Sequence, residues 1–543
     1  DRVLGFPIVA DVAKALDINS PDQLVMPLTL AFAVAALTAG AIRILLLWVS
    51  TRLAFAIGAD LGIKVYQRTL FQPYSVHVAR NSSEVISGIV VKVNGVAGVL
   101  LASMSLVSST VLLLAIIFAL MIIDPIVASI AAVGFGASYA IISMISRRRL
   151  NDNGRRIALE HTQVVKALQE GLGGIRDVLL DGSQSVYCEI FGKADQSLRR
   201  AQAINTFIGQ SPRFAMEAIG MVLIAALAYS LSREADGIAT ALPVLGALAL
   251  GAQRLLPALQ QIFSAWATIV GNRASLADAI DLLDQPMPED LMQSAATPMS
   301  FESTIRFDAV RFRYASESPW VLDGLNLTIP KGARVGFVGS TGSGKSTALD
   351  LLMGLLAPTE GAILLDDHPI GGSHTRGWQR SIAHVPQSIY LADATLSENI
   401  AFGVPPEAID LDRVRQAARQ AQIADFIESS TEGYKALVGE RGVRLSGGQR
   451  QRIGIARALY KQATVLVFDE ATSALDNETE QSVMEAIEGL GGDLTILLIA
   501  HRLSTVRQCS IIVELDEGRV VAQGTYEQLL ERSPSFRSMA KVI

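Results

Sequence analysis

RVGFVGSTGSGKSTALDLL, residues 334–352, decides the fold of the second half of this chain. Its apolar opening, Val335 to Val338, reads as a buried strand, and Ala348 to Leu352 reads as a helix. Between them Gly339, Gly342 and Gly344 free the backbone to turn N–H groups toward an anion, and the helix start adds partial positive charge. Strand, glycine loop and helix in that order are the context of a phosphate-binding Walker A loop. Ser340, Thr341, Ser343 and Thr347 complete its lining. Lys345 is expected to reach the β- and γ-phosphates, and Ser346 to ligate Mg²⁺.

Toward the C-terminus, VLVFDE at residues 465–470 reads as a second buried strand, ending in two carboxylates. Asp469 is placed to hold Mg²⁺, and Glu470 to polarise a water for attack on a phosphate, because phosphoryl transfer depends chiefly on positioning and charge stabilisation. Strand-like runs at 334–338, 464–468 and 495–499 alternate with helical stretches. That alternation predicts a sheet flanked by helices.

LSGGQ lies upstream of the carboxylates, at Leu445, Ser446, Gly447, Gly448 and Gln449, and Ala471, Thr472, Ser473, Ala474, Leu475 and Asp476 follow them directly. With Tyr314, Gln387 in Val385-Pro386-Gln387, and His501, these elements stand in an order that resembles the ATPase domain of ABC transporters. The resemblance implies that Tyr314 stacks on adenine, that Gln387 touches Mg²⁺ and senses the membrane domain, that His501 meets the γ-phosphate, and that Asp476 belongs to the D-loop. It also implies that Ser446, Gly447, Gly448 and Gln449 act in trans, on ATP held by another chain. Each motif occurs once, so a working machine needs a second chain; a homodimer with two competent sites is the simplest assembly and a heterodimer the alternative. Residues 438–442 resemble the X-loop of exporters. Together with a membrane domain that precedes the ATPase, they favour an exporter over an importer.

The rest of the chain is of a different character. Of 543 residues, 50% are hydrophobic and 18% charged, with a mean hydropathy of +0.37. That is too apolar for a purely soluble enzyme and too long for one ordinary core. The net charge of −6 carries no block of like charges, so no nucleic-acid partner is expected. Cys188 and Cys509 are the only cysteines, which excludes a disulfide framework or a thiolate metal site. Apolar runs at 27–50, 95–123, 125–146, 212–232 and 237–269 are each long enough to cross a bilayer. Arg147, Arg148, Arg149, Arg155 and Arg156 mark the long connection after the third run, which places it in the cytoplasm with the ATPase. The odd count and the first residue, Asp1, suggest that a further N-terminal span precedes the five visible ones, giving six.

The predicted organisation is an external connector (1–26) with a short helix near 9–16, an all-α polytopic membrane domain (27–282), a proline-bearing linker (283–303), and an α/β ATPase domain (304–543). Residues 71–84 and 178–188 match the positions of coupling helices in exporters. Three arginines bear on cargo. Arg43 and Arg254 fall within spans and Arg213 opens one, and an arginine at a helix centre costs about 2.5–3.5 kcal/mol on insertion, so it usually faces a cavity or a partner. Guanidinium forks suit phosphate or pyrophosphate. The tracts around Pro212 to Gly220, Arg254 to Pro257, and Pro386 to Gly403 resemble bacterial lipid-linked oligosaccharide flippases. That resemblance implies a polyprenyl-pyrophosphate glycan, turned across the bacterial inner membrane among its lipids. A drug, peptide or simple-lipid exporter is the alternative cargo reading, and an ATP-gated channel or regulator the alternative class.

Overall fold

The computed structural model describes residues 21–123, 125–231, 237–287, 298–469, 477–488, 493–499 and 506–542. They divide into two compact units: Asp1–Leu70 with Arg80–Pro286, and Phe71–Ala79 with Met287–Ile543. The expected short helix near 9–16 lies outside the described residues, as do Glu470, Asp476, His501 and residues 288–297 of the linker.

Among the described residues the secondary structure of the first unit is all helical. Its helices are α1 (Pro21–Leu70), α3 (Ser82–Ser87), α4 (Val93–Ile123), α5 (Pro125–Gly173), α6 (Ile175–Leu180), α7 (Gln184–Leu231), α8 (Gly237–Gly271) and α9 (Arg273–Leu283), while α2 (Tyr74–Ala79) belongs to the second unit. Each of the five predicted spans falls, in its described residues, on one of the five long helices. Three of them, α1, α5 and α7, have 50, 49 and 48 residues. A helix of that length rises about 75 Å, against a hydrocarbon core of about 30 Å, so each continues well past the membrane. Val25–Leu70 and Ser82–Ile122 reach mean hydropathies of 2.2 and 2.6. Along α1, Leu30, Phe32 and Leu37 are more than 60% exposed, the pattern of a helix whose solvent is lipid.

Two expectations need correction. The connector was drawn to residue 26, but α1 is already helical from Pro21. Pro212, expected to open the fourth span, lies inside the continuous helix α7. Proline removes one donor from the helical ladder. The donor it removes would have met the Ile208 carbonyl; on the next residue, the Gly209 carbonyl takes a bond from the Gln260 side chain of the neighbouring α8 at 2.9 Å, an interhelical contact beside the proline.

Helix packing in this unit relies on small residues and a few rings. Gly154 of α5 meets Gly271 of α8 so closely that a Cβ at 154 would collide with the Gly271 carbonyl. Nearby, Phe135, Tyr139, Met216 and Phe263 form a buried cluster, with the Tyr139 and Phe263 rings 5.7 Å apart. Lys92 and Asp278 pair at 2.6 Å, fastening α9 to the turn of π-helix at Gly88–Lys92.

The second unit holds two sheets. An antiparallel one runs β2 (Leu322–Pro330), β1 (Thr304–Phe312), β4 (Glu360–Leu365), β5 (His368–Pro369). The larger has the order β10 (Arg519–Gly524), β9 (Ile511–Asp516), β3 (Arg334–Val338), β8 (Thr495–Ile499), β7 (Val465–Asp469), β6 (Ile382–Val385). All its pairings are parallel except β9 with β10. Its inner strands are apolar on both faces because both faces are covered. In β7, Val465 and Val467 enter one core while Leu466 and Phe468 enter the other.

Candidate functional site

Register brings the motifs to one edge. Gly336, Leu498, Phe468 and Val385 stand side by side across β3, β8, β7 and β6. The residues just beyond them are the glycine loop, the segment leading to His501, Asp469, and the segment leading to Gln387. This is the carboxyl edge of a parallel sheet, where such folds bind ligands. Glu470 and His501 therefore follow strands whose ends are fixed, although both lie outside the described residues.

The loop itself is built by steric exclusion. Gly339 has φ 145° and Gly344 φ 98°. A Cβ at 339 would strike the Leu515 carbonyl, and one at 344 would lie 2.7 Å from a Leu322 methyl. From Gly344 the chain enters α10 (Lys345–Leu352). The Lys345 ammonium, 8% exposed, donates to the carbonyls of Gly339 and Ser340 at 3.0 and 2.8 Å and to Ser343 Oγ at 3.4 Å. Ser340, Thr341, Gly342 and Ser346 face solvent at the mouth of the loop, while Ser343 and Thr347 are buried. Tyr314 hydrogen-bonds Thr347 through its hydroxyl at 3.2 Å and braces edge-on against Phe312 at 5.0 Å. Its ring stays 57% exposed, so a face is open beside the loop.

The hairpin between β9 and β10, which motif reading passes over, supports the loop from behind. Ser340 Oγ donates to Asp516 at 3.2 Å, and Gly518 N–H donates to the Ser343 carbonyl at 3.2 Å. The only sequence signal was a turn of the type Asp-Glu-Gly-Arg, with Glu517 and Gly518 at positive φ.

The LSGGQ stretch is a helix start. Ser446 caps α11 (Gly447–Tyr460), accepting from the Gln449 N–H at 3.2 Å, while Gln449 Oε1 accepts from the Ser446 N–H at 2.8 Å. This capping box spends two of the backbone donors at the helix end and leaves Gly447 and Gly448 amides, with the dipole behind them, for an outside anion. Further along α11, Arg457 donates to the Asn399 carbonyl at 2.9 Å and the Tyr390 carbonyl at 3.0 Å, and lies 4.4 Å over the Phe402 ring. Burial pushes its pKa down to about 10. It ties the signature helix to the segment that follows Gln387. Arg457→Ala strands two carbonyls and is expected to cost about 2–3 kcal/mol, read as a lower thermal midpoint of the ATPase unit.

Comparison with known proteins decides the family. The ABC transporter family matches residues 322–473, and the ABC transporter transmembrane region matches residues 8–237. An ATP-dependent lipid A-core flippase of Alkalilimnicola ehrlichii is 35% identical over 75% of this chain and 69% of its own length. The chain is an ABC exporter half-transporter. A lipid A-core flippase of Cupriavidus pinatubonensis is 30% identical over 88% of the half-transporter and 81% of its own length. Among solved structures, a bacterial Atm1-family ABC exporter with ATP bound superposes with a TM-score of 0.81 at 27% identity, covering 98% of this chain and 93% of that one. The half-transporter is thus a membrane protein whose helical domain precedes an ATP-binding, ATP-hydrolysing α/β domain.

Two acidic groups of the half-transporter's site interact. Burial, reinforced by the Asp469 carboxylate, pushes Asp350 on α10 up to about 6 from 3.8. A carboxyl that is harder to ionise when folded loses stability as pH rises between those two values, and the penalty stays constant above them. Asp350→Asn is therefore expected to stabilise the nucleotide-free protein by about 1 kcal/mol near pH 8 and to do little near pH 4, as measured by thermal melts. The same Asp350 and Tyr314 raise the pKa of Tyr74 in α2, after its own burial. Residues 71–79, the larger part of the expected coupling segment 71–84, thus share a compact unit with the ATP site. The second expected segment, 178–188, covers the end of α6, the turn at 181–183 and the start of α7.

The three cargo arginines fare differently. Arg43 lies exposed on α1. Arg213 is no unpaired cation, because it binds Glu217 one turn along α7 at 2.9 Å. Arg254 sits on α8, with its side chain outside the described set. Among the described residues no hydrogen bond or ion pair joins one of these arginines to another.

Proposed function

We propose that two copies of this half-transporter hydrolyse ATP to flip an amphipathic, anionic glycolipid across the bacterial inner membrane. The observation that carries this reading is the likeness, across most of the chain and both domains, to proteins named ATP-dependent lipid A-core flippases. A polyprenyl-pyrophosphate glycan has the same build, a charged and glycosylated head on apolar tails, and remains within the proposal. The exposed apolar face of α1 supports a path beside lipid, and Arg43 supplies a cation within that span.

The ATP site reads as a composite. In one chain Tyr314 stacks the adenine, residues 339–347 wrap the phosphates, and Lys345 neutralises them. The oxygen donors at the sheet edge fit a small hard cation: an exposed hydroxyl at Ser346, the Asp469 carboxylate and the Gln387 amide, with Asp350 close enough to Asp469 to feel its charge. Mg²⁺ bound there would draw charge from the phosphate oxygens, and it needs only one or two protein ligands beside the nucleotide. Glu470 and His501 then position the attacking water and the γ-phosphate. Ser446, Gly447, Gly448, Gln449 and Asp476 come from the second copy. ATP-driven approach of the two ATPase units reaches the helices through residues 71–79 and 181–183.

The decisive experiment reconstitutes the protein in liposomes with labelled lipid A-core, a polyprenyl-pyrophosphate glycan, a peptide and a drug. ATP-dependent appearance of one of the two glycolipids in the opposite leaflet is the expected outcome. Transport of the peptide or drug alone replaces the cargo, and ATP turnover without movement of any of the four favours a channel or regulator.

A further inference from the structure

A cavity of about 570 Å³ opens among α4, α5, α7, α8 and α9, within the 300–1,000 Å³ range of ligand pockets. Its polar lining includes His161, Gln202, Asn205, Thr206, Gln210 and Asn272. Among the described residues no Asp, Glu, Lys or Arg lines it. The two cations that act on His161 are each paired, Lys92 with Asp278 and Arg199 with Asp195. His161 is held below its ordinary pKa by burial, then by Arg199 and Lys92, so its ring presents one donor and one acceptor.

The amides are arranged rather than loose. Asn153 donates to Asn205 at 3.0 Å, Asn272 to the Thr268 carbonyl at 2.9 Å, and Gln202 lies 3.5 Å from His161 Nε2. The Gln210 side chain faces open space. Amides, hydroxyls and a neutral imidazole offer donors and acceptors in mixed order, which suits a ligand that has both on every carbon and no net charge. Depth agrees. Gln210 comes two residues before the apolar run of α7 and His161 comes after that of α5, at the end marked by Arg147 to Arg149. The cavity therefore starts at the cytoplasmic border of the membrane and runs along the helices about 20 Å toward the cytoplasm, the side on which the sugars of an inner-leaflet lipid project.

We infer that this cavity is a saccharide subsite, holding the uncharged sugars of the cargo while its phosphates and tails are held elsewhere. The inference rests on the glycolipid reading above. It is tested on the whole protein in nanodiscs with a neutral hexose pentasaccharide carrying a diazirine, and with its sulfated counterpart. After irradiation, peptides spanning 202–210 and 264–275 should carry the neutral sugar. Thr206→Val with Gln210→Leu should reduce that labelling at least tenfold, and Gln210→Asn should retain most of it. Gln210→Leu alone alters an exposed amide and serves as the variant that leaves packing intact, checked by elution volume and thermal midpoint. Scattered labelling, equal labelling of the variants, or preference for the sulfated sugar overturns the subsite. A separate arm compares stimulation of wild-type ATP turnover by lipid A-core and by lipid A stripped of its sugars. Specific labelling with no stimulation by either lipid removes the flippase reading and keeps the subsite; stimulation without specific labelling does the reverse.

Discussion

Glu470→Gln is expected to lower ATP turnover by about 10²–10⁴-fold, the usual worth of a positioned general base, while ATP still binds. Glutamine keeps the size of the side chain and a hydrogen bond to water, but cannot draw a proton from it. The groups proposed to hold the nucleotide are elsewhere: Lys345 on α10, Tyr314 on the strand side, and the amides of residues 339–344. Asp469, the neighbouring residue at the end of β7 and the proposed ligand for Mg²⁺, is unchanged in this variant. Binding and turnover should therefore separate, with phosphate release nearly abolished and labelled ATP retained on the protein. Normal turnover in this variant would reassign the catalytic carboxylate.

The second large effect concerns which chain completes each site. Two variants are made, Lys345→Ala, which removes the phosphate-neutralising ammonium, and Gly448→Asp, which sets a carboxylate at the start of α11 where the dipole favours an anion. Differently tagged chains allow mixed pairs to be purified. If the signature acts in trans, pairing one chain of each single variant places both defects in the same site and leaves the other intact. Combining both defects in one chain and pairing it with wild type spoils one half of each site. The expected result is one tightly held ATP per pair in the first mixture and none in the second. The opposite pattern would place the signature in cis and leave each chain self-sufficient.

What the sequence made legible was local. The phosphate loop, Asp469 and LSGGQ are continuous stretches whose chemistry depends on near neighbours, and each lies on the strand, loop or helix end its pattern required. What stayed hidden depends on residues brought together by the fold. The 516–518 hairpin supports a loop more than 170 positions upstream in the chain, Asp350 feels Asp469 across two elements, and Arg457 clasps carbonyls of a distant segment. Arg213 is a different case. Glu217 stands four residues along the same helix, the spacing at which opposite charges pair, so its neutralisation was readable in advance. Pro212 is a further case: a proline normally marks a helix boundary, whereas here the helix runs on through it.

Residues 71–79 carry a mechanical consequence. Because they belong to the same compact unit as the ATPase, the polypeptide crosses between units three times, after Leu70, after Ala79 and after Pro286. A module hung on a single thread can turn without moving its host. This one is sewn in by three stitches, two of them at the ends of α1 and at the approach to α3. Cutting the proline-bearing linker alone would leave the ATPase tethered to the helices, and any displacement of it would still pull on both.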